Sequence, residues 1–312
     1  MLLKKEGKYN EAMKNYKIAL RISQHFFGKD HPSIGIYLTN LGDIHRKLGD
    51  YKSAESTYFQ AISTLEKSYG TEHIEVAEVL NSMGLVLKKR ADYDGAEKLY
   101  IRAISIVKST FGEQHYKCGI YLNNLADIYR KRTDYVQALE MYTKSLQIIE
   151  NTLGQKHSEA GEVLHNIGLV KHQLGDYNAS VEYYNRALEI VKKEFGEKHY
   201  KVGMYLNSKG LANAMMNKYD DAYGDLKKAM QILLSCLGAN HIEVADVYSN
   251  LGDMCMKLFA ENYAKNSEKL KEAQKYFIEA NRIVNRILGP DHTKSKQFAS
   301  LLFICEHYNE LM

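Results

Sequence analysis

Small and aromatic residues recur along the chain at helical intervals. Tyr51, Ala54, Tyr58 and Ala61 stand three and four residues apart, with polar residues between them. Such spacing puts side chains on one face of an α-helix, whereas a half-buried strand alternates every second residue. The same set of positions returns every 42 residues, from Tyr9 to Tyr219. The pattern predicts an all-α chain built from repeated amphipathic helices.

A Gly-x-x-His motif marks the boundary between successive repeats. Its glycines are Gly28, Gly70, Gly112, Gly154, Gly196, Gly238 and Gly289. The first five intervals are 42 residues and the last is 51, so nine residues are inserted in the last repeat, at about 259–267. We expect this insertion to lengthen the connection between the two helices of that repeat, either by extending its first helix or as a loop.

Each repeat is predicted to hold two antiparallel helices, A and B. In one example helix A covers 75–89 and helix B covers 93–109, with Gly112 as the glycine that ends the helix. Pairs of this kind bury their apolar faces by stacking on one another, which produces an α-solenoid. The predicted array comprises a partial repeat 1–28, full repeats 29–70, 71–112, 113–154, 155–196 and 197–238, an insertion-bearing repeat 239–289 and a C-terminal capping helix in 290–312.

The small, aromatic and alanine positions resemble the tetratricopeptide repeat, and segment 122–146, LNNLADIYRKRTDYVQALEMYTKSL, carries them clearly. The 42-residue form resembles the repeats of kinesin light chain and nephrocystin-type proteins. The resemblance implies an α-α superhelical solenoid that binds protein or peptide partners. The coiled-coil heptads that precede the repeats of a kinesin light chain have no counterpart here, so binding of a kinesin heavy chain is not implied.

The resemblance further implies that one face of each helix A lines a concave peptide-binding groove. At two of its positions that face alternates acidic with apolar residues from one repeat to the next. One of these positions reads Asp43, Leu85, Asp127, Leu169, Leu211 and Asp253, and it alternates through the first four repeats. The number of positively charged residues on this face decreases toward the C-terminus of the chain. The predicted peptide-binding residues are Thr39, Asp43, Arg46, Glu78, Asn81, Lys88, Asn123, Asp127, Arg130, Glu162, His165 and Asn207.

Two interpretations of these polar residues stay open. Asn81, Asn123 and Asn207 could clamp the backbone of an extended peptide, because an asparagine amide both donates and accepts hydrogen bonds. Alternatively they cap helices or bond to the neighbouring helix. The charged residues either meet the partner or form ion pairs between repeats on a solvated face.

Composition and motifs favour a protein without catalytic chemistry. The net charge of +4 is too small for a nucleic-acid-binding surface, and no apolar run is long enough for a membrane span. Seven of the twelve histidines stand at the entry to helix A, where we expect a helix-entry hydrogen bond rather than a shared metal. We find no catalytic set, phosphate loop or convincing metal site, and therefore expect no enzyme and no cofactor.

Two functions follow as hypotheses. The first is a protein-interaction module that binds a partner segment in the groove. The alternative is a scaffold subunit of a cytoskeletal or ciliary assembly, which uses the convex face and the ends of the array. Residues 1–6 correspond to the last turns of a helix A, so helix B at 9–27 lacks most of its partner. We expect another chain, or further repeats, to pack on this end of a cytoplasmic protein.

Overall fold

The computed structural model describes residues 2–261 and 267–307, and all regular structure in these ranges is α-helical. The helices A are α2 (Pro32–Lys47), α4 (Ile74–Lys89), α6 (Tyr116–Lys131), α8 (Ser158–Gln173), α10 (Tyr200–Met215), α12 (Ile242–Glu261) and α14 (Thr293–Glu306). The helices B are α1 (Leu2–Phe27), α3 (Tyr51–Tyr69), α5 (Tyr93–Phe111), α7 (Tyr135–Leu153), α9 (Tyr177–Phe195), α11 (Tyr219–Leu237) and α13 (Ser267–Leu288).

The chain divides into two compact units, Leu2–Asn166 and the part from Ile167 onward. In the first unit, α2 packs on α3, α4 on α5 and α6 on α7. In the second unit, α10 packs on α11 and α12 on α13. The prediction of an all-helical α-α solenoid is confirmed.

Histidine begins the helices A in the way that the sequence predicts. The His73 side chain accepts a hydrogen bond from the backbone N–H of Glu75, and its ring stacks on Tyr69 at the end of the preceding helix. All seven boundary histidines accept the equivalent bond from the N–H two residues ahead. Each therefore satisfies one of the amide groups that the first turn of a helix leaves unpaired.

Close contact between a small residue and an aromatic ring holds helix A against helix B. A Cβ added to Gly42 would lie 2.6 Å from Cε1 of Tyr58, and one added to Gly252 would lie 2.6 Å from Cε1 of Phe277. Tyr58 and its neighbours Ala54 and Ala61 are completely buried. The small residues thus let each pair of helices approach closely, as the sequence pattern predicts.

The N-terminal end differs from the sequence interpretation. The structure continues α1 as one helix from Leu2 to Phe27, where we expected the last turns of a helix A before a turn. The other turns place an aspartate such as Asp50 at the N-cap of helix B, where its carboxylate accepts from the Ser53 N–H. Lys8 occupies the corresponding position and offers no acceptor, so the sequence there does not favour a new helix start.

The insertion lengthens both helices of its repeat. Helix α12 has 20 residues against 16 in α10, and α13 has 22 against 19 in α11. The remaining part of the insertion, residues 262–266, lies outside the described residues. The last helix, α14, ends at Glu306, inside the range expected for the capping helix.

Candidate functional site

The candidate site is the surface of the helices A that carries the predicted peptide-binding residues, which we call the helix-A face. All of them except Asn207 belong to the first unit. Asn123 and His165 are buried, and the other ten are partly buried. None of these residues is fully exposed, although Glu78 keeps 44% of its side chain accessible.

At one position of the face, Asp43 is fully engaged within its own repeat. The Tyr58 hydroxyl donates to Asp43 Oδ1 at 2.7 Å, and Arg46 Nη2 donates to the same oxygen at 3.2 Å. Burial lowers the pKa of Arg46, but contacts with Tyr58 and Asp43 outweigh it, and the guanidinium pKa is raised. The Arg46 guanidinium is therefore held in its charged form next to Asp43, with which it forms an ion pair.

Asp127 joins two repeats through cations. Lys88 Nζ lies 2.9 Å from Asp127 Oδ2, and Arg130 Nε donates to Asp127 Oδ1 at 2.9 Å. Burial raises the pKa of this carboxyl, but the charges of Lys88 and Arg130 outweigh burial and lower it to about 2. Together with the ion pair between Glu78 and Lys117, this contact matches the alternative of ion pairs between repeats.

The asparagine ladder also links neighbouring helices A. The Oδ1 atom of Asn81 accepts a hydrogen bond from Asn124 at 2.8 Å, and Asn123 Oδ1 accepts from Asn166 at 2.9 Å. In the second unit, Asn207 Oδ1 accepts from Asn250 at 2.9 Å. The acceptor half of each ladder asparagine is therefore used inside the array, as the alternative interpretation expects.

The donor half of the ladder is different. Within residues 2–261 and 267–307, no group accepts a hydrogen bond from the Nδ2 amide of Asn81, Asn123 or Asn207. The donor half of the ladder is therefore unused within the described chain. The acceptor half, to which the sequence also gave a role in peptide binding, is already taken.

Three other predicted residues have other surroundings. Thr39 Oγ1 donates to the Gly35 carbonyl of its own helix at 2.8 Å, which is a common contact for threonine inside a helix. Glu162 and His165 both lie on α8 in the first unit, with His165 buried. Among the residues that the structure describes, no group of three His, Cys, Asp or Glu side chains is placed to hold a metal ion.

In the second unit, the helix-A face is more apolar. Two ion pairs lie in this unit. Lys294 Nζ lies 2.5 Å from Asp246 Oδ1, and Lys209 Nζ lies 3.3 Å from Asp225 Oδ2. Asp253 has the same place in its repeat as Asp127, but it is not among the predicted binding residues. At this position aspartate and leucine alternate only as far as Leu169, so the alternation does not predict an aspartate at 253.

Burial raises the pKa of Asp253 to about 6, and Lys257 offsets this only in part. Its side chain is partly buried. No hydrogen bond or ion pair joins it to any residue in the described ranges. Asp253 is therefore the helix-A face carboxylate whose charge the surrounding chain leaves uncompensated.

Comparison with known proteins agrees with the fold. The sequence profile of the tetratricopeptide repeat matches residues 1–67, 75–151 and 159–223. No curated protein matches the chain. In the part of the chain that the structure describes, no helix is both long and apolar enough to cross a lipid bilayer.

Several solved structures are similar at low sequence identity. BtubC (BKLC) from P. vanneervenii is 18% identical, with a TM-score of 0.59 over 76% of this chain and 93% of that one. A tetratricopeptide repeat protein from Parabacteroides merdae is also 18% identical, with a TM-score of 0.59 over 96% and 93%. A kinesin light chain-type repeat protein of Podosopora anserina is 17% identical, with a TM-score of 0.53 over 66% and 97%. At such identities the likeness concerns the fold.

Proposed function

This chain belongs to the tetratricopeptide repeat family, and on that premise we propose that its helix-A face binds an extended segment of a protein partner. Members of the family generally mediate protein–protein interaction or act as scaffolds. We also propose that its repeats are of the 42-residue kinesin light chain and nephrocystin type, because period and motif agree. The binding role requires no catalytic group.

The observation that carries the proposal is the set of unpaired Nδ2 amides of Asn81, Asn123 and Asn207. Each amide is held in place because its Oδ1 atom is fixed by an asparagine of the next repeat. A donor fixed in this way loses little conformational entropy when a carbonyl oxygen binds it. Donors of this kind suit a peptide backbone, which offers carbonyl oxygens whatever its side chains are.

The charges of the first unit support recognition of the backbone over recognition of charge. Asp43 and Asp127 are neutralised by Arg46, Lys88 and Arg130 within the unit. A bound segment would therefore gain little from a charged side chain placed directly on these pairs, since it would have to displace an existing partner. We therefore propose that these ion pairs stabilise the helix-A face, whereas the asparagine amides bind the peptide.

The test separates the donor from the hydrogen bond between repeats. Random 12-residue peptides displayed on phage are selected on the full chain, and their affinities are measured by fluorescence anisotropy. The double variant Asn81→Asp and Asn123→Asp keeps both Oδ1 acceptors but removes both Nδ2 donors. We expect it to weaken binding about thirtyfold, since each of the two lost hydrogen bonds is worth about 1 kcal/mol.

The matched control changes the opposite partner of each bond. Asn124→Ala and Asn166→Ala remove the same hydrogen bonds between repeats but leave the Nδ2 donors of Asn81 and Asn123 in place. This control should bind the selected peptides nearly as well as the unaltered chain. Equal affinity of the donor variant and the control would overturn the proposed role of the ladder.

A second candidate function, scaffolding, is favoured by one observation on α1. Ile18, Ile22 and Phe26 form a stripe along this helix and are 46%, 52% and 73% exposed. Helices α3, α5, α7 and α9 are polar at the positions of Ile18 and Phe26, as Gln60 and Ser68 in α3 illustrate. An exposed apolar stripe of this kind is typical of an interaction surface.

The charge of α1 identifies the kind of partner that suits this stripe. Helix α1 contains six Lys or Arg residues and two Glu residues, which gives it a net charge of +4. The net charge of the whole chain is also +4. We infer that the occupant is an amphipathic helix with acidic flanks from a partner protein. The cytoskeletal or ciliary setting of such a scaffold stays a prediction.

Two designed helices with one leucine stripe, flanked by glutamate in one and by lysine in the other, provide the probe. The glutamate helix should bind the full chain, and Ile18→Gln with Phe26→Ser, the residues that α3 carries, should abolish binding. Equal binding of the two helices would contradict the inference. Self-association of the chain through α1 in sedimentation velocity would instead assign the stripe to a second copy.

A further inference from the structure

Three partners surround the carboxylate of Asp127, and each has lost its polar group around Asp253. Arg130, three residues along α6 from Asp127, is replaced by Met256 on α12. Lys88, near the end of α4, is replaced by Ala214 near the end of α10. Helix α4 contacts α6 and α10 contacts α12, so the two neighbourhoods are built from equivalent helices.

The third lost partner is the tyrosine hydroxyl of helix B. The pKa of the Tyr142 hydroxyl is raised, first by its burial and second by the nearby negative charge of Asp127. In the later repeat Phe277 takes this place, and its ring lies against Gly252 beside Asp253. A phenylalanine has no hydroxyl, so Asp253 lacks the polar group that Tyr142 places near Asp127 and that Tyr58 donates to Asp43.

The nearest cation does not compensate for these losses. Lys257 lies one turn beyond Asp253 on α12, but its ammonium group lies over the Tyr219 ring, 5.6 Å from the centroid. Burial accordingly raises the pKa of Asp253 to about 6. At neutral pH the carboxylate is still mostly ionised, and it remains without an ion-pair partner among the described residues.

The neighbouring positions of the helix-A face suit the aliphatic part of a long side chain. Leu211 and Met256 are partly buried, and the adjacent Met215 on α10 is 50% exposed. Methionine adapts its shape to a ligand because its side chain is unbranched and flexible. A lysine or arginine places methylene groups on apolar surface while its charged end meets an acceptor.

We propose that Asp253 binds the ammonium or guanidinium group of a lysine or arginine side chain of the partner segment, whose methylene groups pack on Leu211 and Met256. This inference rests on the proposed function, because the cation is supplied by the segment that the helix-A face binds. It adds a charge preference that the first unit, with its neutralised carboxylates, does not have.

A leucine at this position would fit the array, as Leu85, Leu169 and Leu211 show. The retained aspartate therefore has no packing role that leucine could not fill. Its partial burial favours the neutral acid, whereas a cation from outside would stabilise the ionised form. A partner that supplies this cation would form its ion pair at a partly buried site. The effective dielectric constant there is lower than in water, so the attraction is stronger.

The experiment uses the same phage-displayed random 12-residue peptides, selected on the full chain. We expect the selected peptides to share a lysine or arginine. Asp253→Asn should weaken their binding about tenfold, and replacing the shared cation by norleucine should cause the same loss in the unaltered chain but none in the variant. Binding should also lower the pKa of Asp253, measured from its carboxyl carbon by NMR.

Met256→Arg is the second variant. It restores the arginine that Asp127 has at the equivalent position, so Asp253 should pair within the chain and lose its preference for a peptide cation. Thermal melting checks that both variants remain folded. Peptides that bind equally to Asp253→Asn would overturn the cation site and leave the proposed function standing. If no peptide is sensitive to either Asn81→Asp with Asn123→Asp or Asp253→Asn, both proposals fail.

Discussion

Asp127 and Asp253 hold the same place in their repeats, one in each unit, yet their surroundings shift their pKa values in opposite directions. Cations from two helices outweigh burial and lower the pKa of Asp127 to about 2. Burial without such partners raises the pKa of Asp253 to about 6. The repeat thus determines where a carboxylate lies, and three neighbouring side chains determine whether its charge stabilises the protein.

The two units also differ in what they offer a partner. The first unit pairs Asp43 and Asp127 internally, and on the proposal above it presents the side-chain amide donors of Asn81 and Asn123 to a partner. The second unit retains an acid that folding does not stabilise. On the proposal above, Asp253 meets its counter-ion only when a partner binds, whereas Asp127 already has its counter-ions within the chain.

The largest expected effect is on Asp127. Asp127→Leu should destabilise the first unit by about 3 kcal/mol, because it leaves two largely buried cations without a counter-ion. Lys88 and Arg130 have side-chain exposures of only 17% and 12%. Urea denaturation with hydrogen exchange across α4 and α6 measures the loss. A change below about 1 kcal/mol would show that the pair contributes little.

The same substitution in the second unit should have the opposite sign. Asp253→Leu removes a desolvated carboxylate that has no partner in the described structure, and we expect it to stabilise the second unit by about 2 kcal/mol at pH 7. Hydrogen exchange across α10 and α12 reports the change. If both leucine variants destabilise equally, the contrast between the two aspartates is wrong.

The pH dependence of stability separates the two acids further. The pKa of Asp253 is about 6 in the folded protein, against 3.8 for an ordinary aspartate, so the folded state binds this proton more tightly than the unfolded state does. The second unit should therefore gain stability as pH falls from about 6 to 4. The slope is at most about 1.4 kcal/mol for each pH unit. Lys257 is the charged group that acts on this carboxyl.

Asp127 should behave in the reverse sense. Its folded pKa, about 2, lies below the ordinary 3.8, so its contribution is complete above about pH 4 and is lost as pH falls toward 2. Hydrogen exchange of each unit at several pH values distinguishes the two windows. Asp253→Asn is the control, because it should remove the slope between pH 4 and 6 and leave the lower one.

Much of the fold follows from the sequence. The predicted helices at 75–89 and 93–109 are Ile74–Lys89 and Tyr93–Phe111 in the structure, and the histidines cap the helices as expected. These features depend on local spacing and on hydrogen bonds between residues close in sequence. They repeat because the same short-range chemistry recurs every 42 residues.

The candidate site was less accessible from the sequence. The hydrogen bond between Asn81 and Asn124 joins residues that are 43 positions apart. That the Oδ1 atom of Asn81 already accepts a hydrogen bond is therefore visible only when the helices are stacked. Part of the environment of Asp253 was within reach of the sequence, because the 51-residue interval of the insertion-bearing repeat leads from Leu226 to Phe277. The structure adds that the Phe277 ring lies against Gly252, next to Asp253, and that the Lys257 ammonium group lies over the Tyr219 ring.

The smallest expected effect concerns a cap that the second unit has lost in one repeat. Asp176 caps α9 by accepting from the Ala179 N–H, whereas Lys218 at the start of α11 makes no side-chain cap bond. Lys218→Asp should stabilise the second unit by about 1 kcal/mol, because it supplies the acceptor and a negative charge at a helix N-terminus. The reciprocal variant, Asp176→Lys, should destabilise it by a similar amount. Both are measured by urea denaturation with hydrogen exchange across α9 and α11. A stabilising Lys218→Asp paired with a neutral Asp176→Lys would mean that the charge near α11, rather than the cap geometry, is responsible.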